Sequence, residues 1–453
     1  MSIPRLIAVI DIGKTNAKLV LIDSQSQTQI ASRSTPNSVR RDGLYPHADV
    51  DNLWQFITQS LTAFHAEHGV DGISITTHGA TAALMAGDEL VLPVLDYEHD
   101  GPETSAQAYA AIRPPFGETL SPRLPNGLNL GAQLFWQSQS FPEQFARVTH
   151  ILTYPQYWAW RLTGIAASEV TSLGCHTDLW VPERGQFSSL VEDRRWTALF
   201  PPIRPAASVL GTISPEIAAQ TGLAANTPVT CGIHDSNASL IPHLETREAP
   251  FTIVSSGTWT IAMTVGGPTT ALDAARDSLA NVDAHGRPVP TARFMGGREF
   301  DLLVPEPVEP SNADIARVIA QDFQALPSFV AGVGPFPHAR GRWTCDPDAL
   351  TPGERSAVVT LYLALMTEAC LELCGLGREI IVEGALARNR LFGDALARLT
   401  GVPVASSGDA TGTSVGASLL FGGAYAPKNT AISNIALAIG GFDAYRNTWR
   451  SRL

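Results

Sequence analysis

The sequence predicts an α/β protein built as two like domains facing each other across a cleft, and three observations carry that reading. At 453 residues the chain exceeds the roughly 250–300 residues that one hydrophobic core supports. Near its start, LIAVIDIGKTNAKLVLID (6–23) is an apolar run, a tight polar turn and a second apolar run. In the second half, FTIVSSGTWTIAMTV (251–265) repeats the plan. A repeat at half-chain scale implies duplicated architecture. The division is expected at 243/244, giving domains 1–243 and 244–453.

Composition narrows the function classes. A hydrophobic content of 44% with 16% charged residues describes a well-packed chain, and a net charge of −12 argues against nucleic acid or an anionic membrane as the main partner. A nucleotide is still admitted, because backbone amides and a lysine or two make a local anion site. The five cysteines (Cys175, Cys231, Cys345, Cys370, Cys374) show no CxxC pair and no framework spacing, as expected in a reducing compartment. Cys370 and Cys374, one helical turn apart, read as core packing. No charged leader and no membrane span of adequate length is recognised, so a cytoplasmic location is expected.

The elements follow in order. After the hairpin and a polar extended stretch, residues 51–65 place Leu53, Trp54, Ile57, Leu61 and Phe64 at helical spacing. GISITT (Gly72–Thr77) is a short apolar strand ending at His78 and Gly79. Residues 96–133, rich in Pro, Gly and Asn, read as an irregular lid or substrate-facing insertion. A packed helix is expected over 156–162, ending at Gly164, and 228–233 leads into His234, Asp235 and Ser236. In the second half, a nearly all-apolar helix over 357–373 precedes the strand EIIVEG (379–384), and a helix is expected over 390–399.

The chemistry lies in the turns between these elements. Gly13, Lys14, Thr15 and Asn16 gather backbone N–H groups, a hydroxyl and a lysine at one point, with the Asp11 carboxylate at its edge. That set suits a polyphosphate with a divalent cation; an ordinary hairpin with a polar turn is the plain alternative. Ser255, Ser256, Gly257 and Thr258 hold the matching place in the second half, so two turns can grip one polyphosphate. Asp235, in GIHDSN (232–237), is either a helix cap or the base that takes a proton from a sugar hydroxyl. Asp11 is then the metal partner, since Mg²⁺ binds through one or two carboxylates, waters and phosphates. Gly384 lets a flat base approach the backbone, and the small residues Gly412, Ser414, Gly416 and Ala417 allow a helix to pack closely behind it.

Together these positions resemble the FGGY family of carbohydrate kinases, two duplicated ribonuclease H-like domains of the actin–hexokinase–Hsp70 architecture. The resemblance runs from about residue 7 to 422: DIGKTNAK and SSGTW look like the two phosphate loops, GIHDS like the segment with the catalytic aspartate, and EGALARN like the adenosine-side glycine motif. Within the family the local match is to L-rhamnulose kinase-like members, in which a histidine also precedes the base. The resemblance implies Asp235 as catalytic base, Asp11 and Asp235 as metal partners, and Gly79, His234, Asp235 and Ser236 at the ketose. It sets Gly13, Lys14, Thr15, Asn16, Gly257, Thr258, Gly384, Ala385 and Asn389 at the nucleotide. Three further residues are candidates with two readings each. His78 either bonds substrate or is structural, Asp96 holds a sugar hydroxyl or caps a loop, and Lys14 touches phosphate or is an exposed turn lysine. Two departures stand out. Glu383, Gly384 and Ala385 replace the family's run of glycines, and Arg293 lies about where rhamnulose kinases carry an asparagine near the sugar.

The expectation is an ATP- and Mg²⁺-dependent kinase acting on a ketose in carbohydrate catabolism, L-rhamnulose first, then L-fuculose, xyluloses and ribuloses. A nucleotide-driven clamp or a sugar-sensing relative is the alternative. Expected partners are the sugar, ATP and a second copy in a homodimer, without nucleic acid or membrane.

Overall fold

The computed structural model describes residues 3–407, 412–423, 425, 430–433 and 440–453. Two compact units are present. Unit 1 comprises Met1–Thr246 with Asn281–Arg287 and Thr411–Ala426; unit 2 comprises Arg247–Ala280, Pro288–Ala410 and Pro427–Leu453. The main change of unit lies close to 243/244, but a linear division has no place for the two later returns into unit 1. These are short segments that bury only a few side chains and leave no composition break.

In unit 1, β1 (Leu6–Ile12) and β2 (Asn16–Asp23) form the antiparallel hairpin, and β2 pairs with β3 (Thr28–Pro36). Helix α1 (Val50–Glu67) starts at Asp49, whose side chain accepts from the Asn52 N–H, and buries Leu53, Ile57, Leu61 and Phe64 along one stripe. Strand β4 (Gly72–Thr77) is buried along its whole length and runs parallel to β1, with Asp11 opposite Thr76 and Ile12 opposite Thr77. The helix Tyr154–Thr163 stops where Gly164 takes a left-handed φ of 74°. Strands β5 (Val209–Thr212) and β6 (Pro228–Thr230) complete the order β5-β6-β4-β1-β2-β3. Strand β7 (Ile233–His234) also pairs parallel with β4, setting His234 opposite Thr77, and α2 (Asp235–Thr246) begins at the next residue. The insertion holds only short helical turns before the helix Leu130–Ser140.

Unit 2 repeats the plan. Strands β8 (Phe251–Ser256) and β9 (Thr260–Val265) are the second hairpin, joined by β10 (Ser278–Val282) and β11 (Pro288–Phe294). Helix α3 (Pro352–Cys374) is launched by a capping box in which the Thr351 hydroxyl and Glu354 carboxylate each serve the other's backbone N–H. Strand β12 (Ile380–Gly384) runs parallel to β8 with Ser256 opposite Gly384, and α4 (Arg390–Thr400), β13 (Val404–Ser407) and β14 (Thr430–Ser433) follow, giving the order β10-β11-β9-β8-β12-β13-β14.

One sequence expectation is corrected by α3. The helix is long and apolar enough to cross a bilayer by length and composition, where no such segment had been recognised. Its apolarity has another physical cause: 94% of the apolar window is buried inside the chain, with Cys370 and Cys374 in the same core.

Candidate active site

Three parallel strands of unit 1 end along one edge of the sheet. β1 delivers Asp11, β4 delivers His78, and β7 delivers His234 and Asp235. The carboxyl ends of parallel strands are where open α/β sheets bind ligands, because the backbone turns away there and leaves a crevice. Asp235 sits at the junction of β7 and α2 with its side chain 28% exposed. Its Oδ1 accepts from the Ser236 N–H at 2.6 Å and lies 3.1 Å from His234 Nε2. Burial raises the Asp235 pKa to about 6, and the Asp11 charge adds to the rise, while His78 and the Ser236 N–H oppose it. A carboxylate of that strength is ionised at neutral pH yet basic enough to take a proton.

The partner of that carboxylate is a neutral imidazole. Burial pushes the His234 pKa down to about 4. Asn237 Nδ2 lies 3.1 Å from His234 Nδ1; an amide nitrogen only donates, so Nδ1 accepts and Nε2 carries the hydrogen given to Asp235. A Cβ on Gly79 would meet the His234 ring at 3.0 Å and the Cys175 sulfur at 3.1 Å, so the residue ending this loop has to be small. Behind His234 lies a group that sequence reasoning missed. Glu169 is fully buried, accepts from the Thr171 and Ser172 N–H groups and the Thr171 hydroxyl, and is held up at about 7 by burial. The Thr171 hydroxyl in turn accepts from the His234 N–H at 3.1 Å. Nothing in SEVTS distinguishes this glutamate from an ordinary helix cap, which it also is.

Two more residues were missed at Asp11. The segment TGTSVGASLL (411–420), whose small residues were expected to pack behind the adenosine glycine, belongs to unit 1: a Cβ on Gly416 of α5 (Thr413–Ser418) would sit 1.8 Å from the Ala238 carbonyl of α2. That close approach explains the small residues. It also brings the Thr413 and Ser414 hydroxyls to Asp11 Oδ2, at 2.7 and 2.9 Å. Thr411, the first residue of this motif, lies outside the described residues. Among the described residues no three His, Cys, Asp or Glu side chains form a closed cage for a metal. Asp11 and Asp235, near enough for one charge to raise the other's pKa, fit Mg²⁺, which needs one or two carboxylates and takes water and phosphate oxygens for the rest.

The hairpin turn itself is tight. Gly13 N–H donates to the Asn16 carbonyl at 2.9 Å, Asn37 braces the turn through Gly13 and Thr15, and Thr15 and Asn16 are exposed. Lys14 is not an exposed turn lysine: its ammonium is paired with Asp96, lies 3.4 Å from Glu98 and sits 4.9 Å over the Tyr97 ring. His78 packs on Tyr97 and Tyr154, with Nδ1 3.0 Å from the Gly79 carbonyl, and burial lowers its pKa.

In unit 2, β8 carries Ser255 and Ser256 where β1 carries Asp11, and an acid stands on the neighbouring strand instead, Glu383, next to last in β12 and buried. Gly257 and Thr258 are exposed in the turn, where Gly257 N–H donates to the Trp259 carbonyl at 2.8 Å. Gly384 has φ 78°, and a Cβ there would lie 1.9 Å from the Ser256 carbonyl, so only glycine fits. Ser256 Oγ receives the Leu386 N–H at 2.8 Å. Beside this edge is a cavity of about 140 Å³ lined by Gly257, Gly297, Asp301, Ala385 and Asn389 among others, and another of about 360 Å³ sharing Phe300, Ala385 and Asn389 with it. Asn389 is partly committed, capping α4 and donating to Thr360. Gly297 and Phe300 were missed, because a helix start after β11 carries no motif. Arg293 lies on β11 in unit 2, bonded to Asp277 at 2.9 Å and stacked 4.8 Å over Trp259; the other acceptor-side candidates all lie in unit 1.

A duplicated α/β sheet, with a raised-pKa carboxylate at the strand ends of unit 1 and an exposed glycine turn at those of unit 2, defines a two-domain α/β protein of duplicated plan. The family model described as "FGGY family of carbohydrate kinases, N-terminal domain" matches residues 6–242, and "Carbohydrate kinase FGGY, C-terminal domain" matches 248–430. This chain belongs to the FGGY family of carbohydrate kinases, with its actin/hexokinase-like fold. It is similar to the solved structure of a carbohydrate kinase from Novosphingobium aromaticivorans, at 36% identity over 99% of this chain and 98% of that one, TM-score 0.92. L-fuculokinase of Salmonella typhi is 28% identical over 58% of this chain and 57% of its own length. L-xylulose/3-keto-L-gulonate kinase of Escherichia coli (strain K12) is 25% identical over 63% and 58%. The chain spans little more than half the length of these curated relatives.

Proposed function

We propose that the chain is an ATP-dependent kinase that phosphorylates a hydroxyl of a ketose. The observation that carries this reading is Asp235. Its pKa of about 6 leaves it ionised at neutral pH, and its known donors, the Ser236 N–H and His234 Nε2–H, converge on Oδ1. Oδ2 is then the atom that takes the acceptor's proton. As the acceptor oxygen bonds to the γ-phosphorus, the bond from that phosphorus to the bridging oxygen breaks and ADP leaves. Because His234 is neutral, its hydrogen bond fixes the carboxylate's rotamer without forming an ion pair that would weaken it as a base.

Asp11 and Asp235 are the residues that would hold Mg²⁺, which when bound neutralises charge on the phosphates. Asp11 is oriented for this by Thr413 and Ser414. The N–H groups and hydroxyls of Thr15 and Thr258, with Asn16 beside the first, would supply donors to phosphate oxygens, while the Gly13 and Gly257 N–H groups close their own turns. Gly384, Ala385 and Asn389, lining or bordering the two cavities of unit 2, are the adenosine side of the proposal.

The acceptor class is a 6-deoxyketohexose or ketopentose. The activities of the relatives favour L-fuculose and L-xylulose; L-rhamnulose rests on the His234–Asp235 pair, and His78, Gly79, Asp96, Ser236 and Arg293 are the candidate contacts. A homodimer and a cytoplasmic location complete the proposal. A coupled ADP-release screen over L-rhamnulose, L-fuculose, the xyluloses and the ribuloses tests it. Acceptor-stimulated turnover is expected for at least one, and basal ATP hydrolysis alone across the panel overturns it.

A further inference from the structure

We infer that Lys14 is a positioning residue for the acceptor rather than a phosphate ligand: it holds the Asp96 carboxylate so that Asp96 can receive a hydroxyl of a neutral sugar. This deepens the proposed acceptor site and rests on it. Lys14 stands in the turn that the sequence assigns to phosphate, but its ammonium is already claimed from three sides. Asp96 Oδ1 is bonded to it, Glu98 Oε2 is 3.4 Å away, and the Tyr97 ring lies 4.9 Å below. The Lys14 side chain is 20% exposed and the Asp96 side chain 7%. A cation between two carboxylates and a π-face has little free field for an incoming phosphate, and two carboxylates beside it repel one.

The carboxylate keeps the freer atom of the pair. The Glu98 N–H also donates to Asp96 Oδ1, at 3.2 Å, so both donors bind the same oxygen. Oδ2 is left to accept. Lys14, Asp96 and Tyr97 line, with His78, Thr81 and Asn37, a cavity of about 20 Å³. That is room for about one water, which is the size of one hydroxyl. Lys14 therefore fixes in place an acceptor group for an O–H donor, and the surplus negative charge of Asp96 and Glu98 disfavours a carboxylate-bearing sugar.

Calorimetric binding tests this. Lys14→Met, Lys14→Arg, Asp96→Asn and the Lys14→Met/Asp96→Asn double variant are each titrated with Mg·ATP and with L-fuculose, L-xylulose and L-rhamnulose. For the sugar that wild type binds most tightly, Lys14→Met is expected to raise Kd tenfold or more while Mg·ATP stays within twofold, and Lys14→Arg to recover most of the loss. The double variant is expected to bind sugar within twofold of Asp96→Asn alone, because Lys14 acts only through Asp96; it also removes the stranded carboxylate should Lys14→Met fold poorly. An unchanged sugar Kd in Lys14→Met, a tenfold loss of Mg·ATP affinity, or wild type binding none of the three sugars overturns the inference. Sugar binding without sugar-stimulated ADP release breaks the kinase reading instead and leaves the role of Lys14 standing.

Discussion

The turns at 13–16 and 257–259 occupy the same place in two sheets of the same plan, yet the strand ends around them are furnished differently. In unit 1 the parallel neighbours terminate in Asp11, His78, His234 and Asp235, and two of those carboxylates raise the local cost of negative charge. In unit 2, β8 terminates in Ser255 and Ser256 and β12 in Glu383 and Gly384, with exposed Gly257 and Ala385 beside a cavity. A duplicated scaffold thus offers the same crevice twice. One is furnished with two carboxylates and two imidazoles and the other with serines, exposed glycine and a cavity; under the proposed function the first would hold the base and the second the nucleotide.

The sharpest way to break the comparison is at the base. Asp235→Asn is expected to lower kcat by about 10²–10⁴-fold, as steady-state assays would read; near-normal turnover removes Asp235 from the role. Next come the glycines. Gly384→Ala forces a Cβ to 1.9 Å from the Ser256 carbonyl at φ 78°, for at least about 1–3 kcal/mol of strain. Gly257→Ala meets nothing within 4 Å and is expected to fold normally. Thermal melts of the two variants compare a glycine required by the fold with one that is not.

A pH profile separates the halves further. Because Asp235 must be ionised to accept a proton and its pKa is about 6, kcat/KM is expected to fall tenfold per pH unit below about 6 and to level off above it. Smaller still, Thr413→Val with Ser414→Ala removes both hydroxyls from Asp11 and is expected to raise the Mg²⁺ needed for half-maximal rate several-fold, with sugar KM unchanged. The smallest effect concerns stability. Glu169 is raised to about 7, so the folded chain holds a proton that the unfolded chain releases near pH 4.3. That contribution is complete at low pH and is lost as pH rises through about 7. Denaturant titrations of Glu169→Gln should show a flatter pH dependence across that window.

Much of the fold was legible because it is local. The runs 6–12, 72–77 and 251–256 are buried nearly throughout, and buried parallel strands read as unbroken apolar stretches. The 51–65 stripe became α1 within a few residues, and the glycine at 164 ended its helix as expected. The placement of the candidate site residues at those strand ends was legible for the same reason, since polar residues that follow directly on a buried strand leave few places for them to go. What was not legible depends on returns of the chain. Thr413 and Ser414 reach Asp11 across about 400 residues of sequence, and Glu169 reaches His234 only through Thr171.

By itself, then, the sequence determined which segments become strands, where the polar turns interrupt them, and that two such constructions lie in one chain; period and turn chemistry are properties of neighbours. Tertiary structure alone decided the state of each functional group. It made His234 neutral, lifted Asp235 to about 6, and gave Lys14 to Asp96 rather than leaving it in the open turn. Burial and the partners a side chain meets set its charge and its direction, and those come from residues far away in sequence.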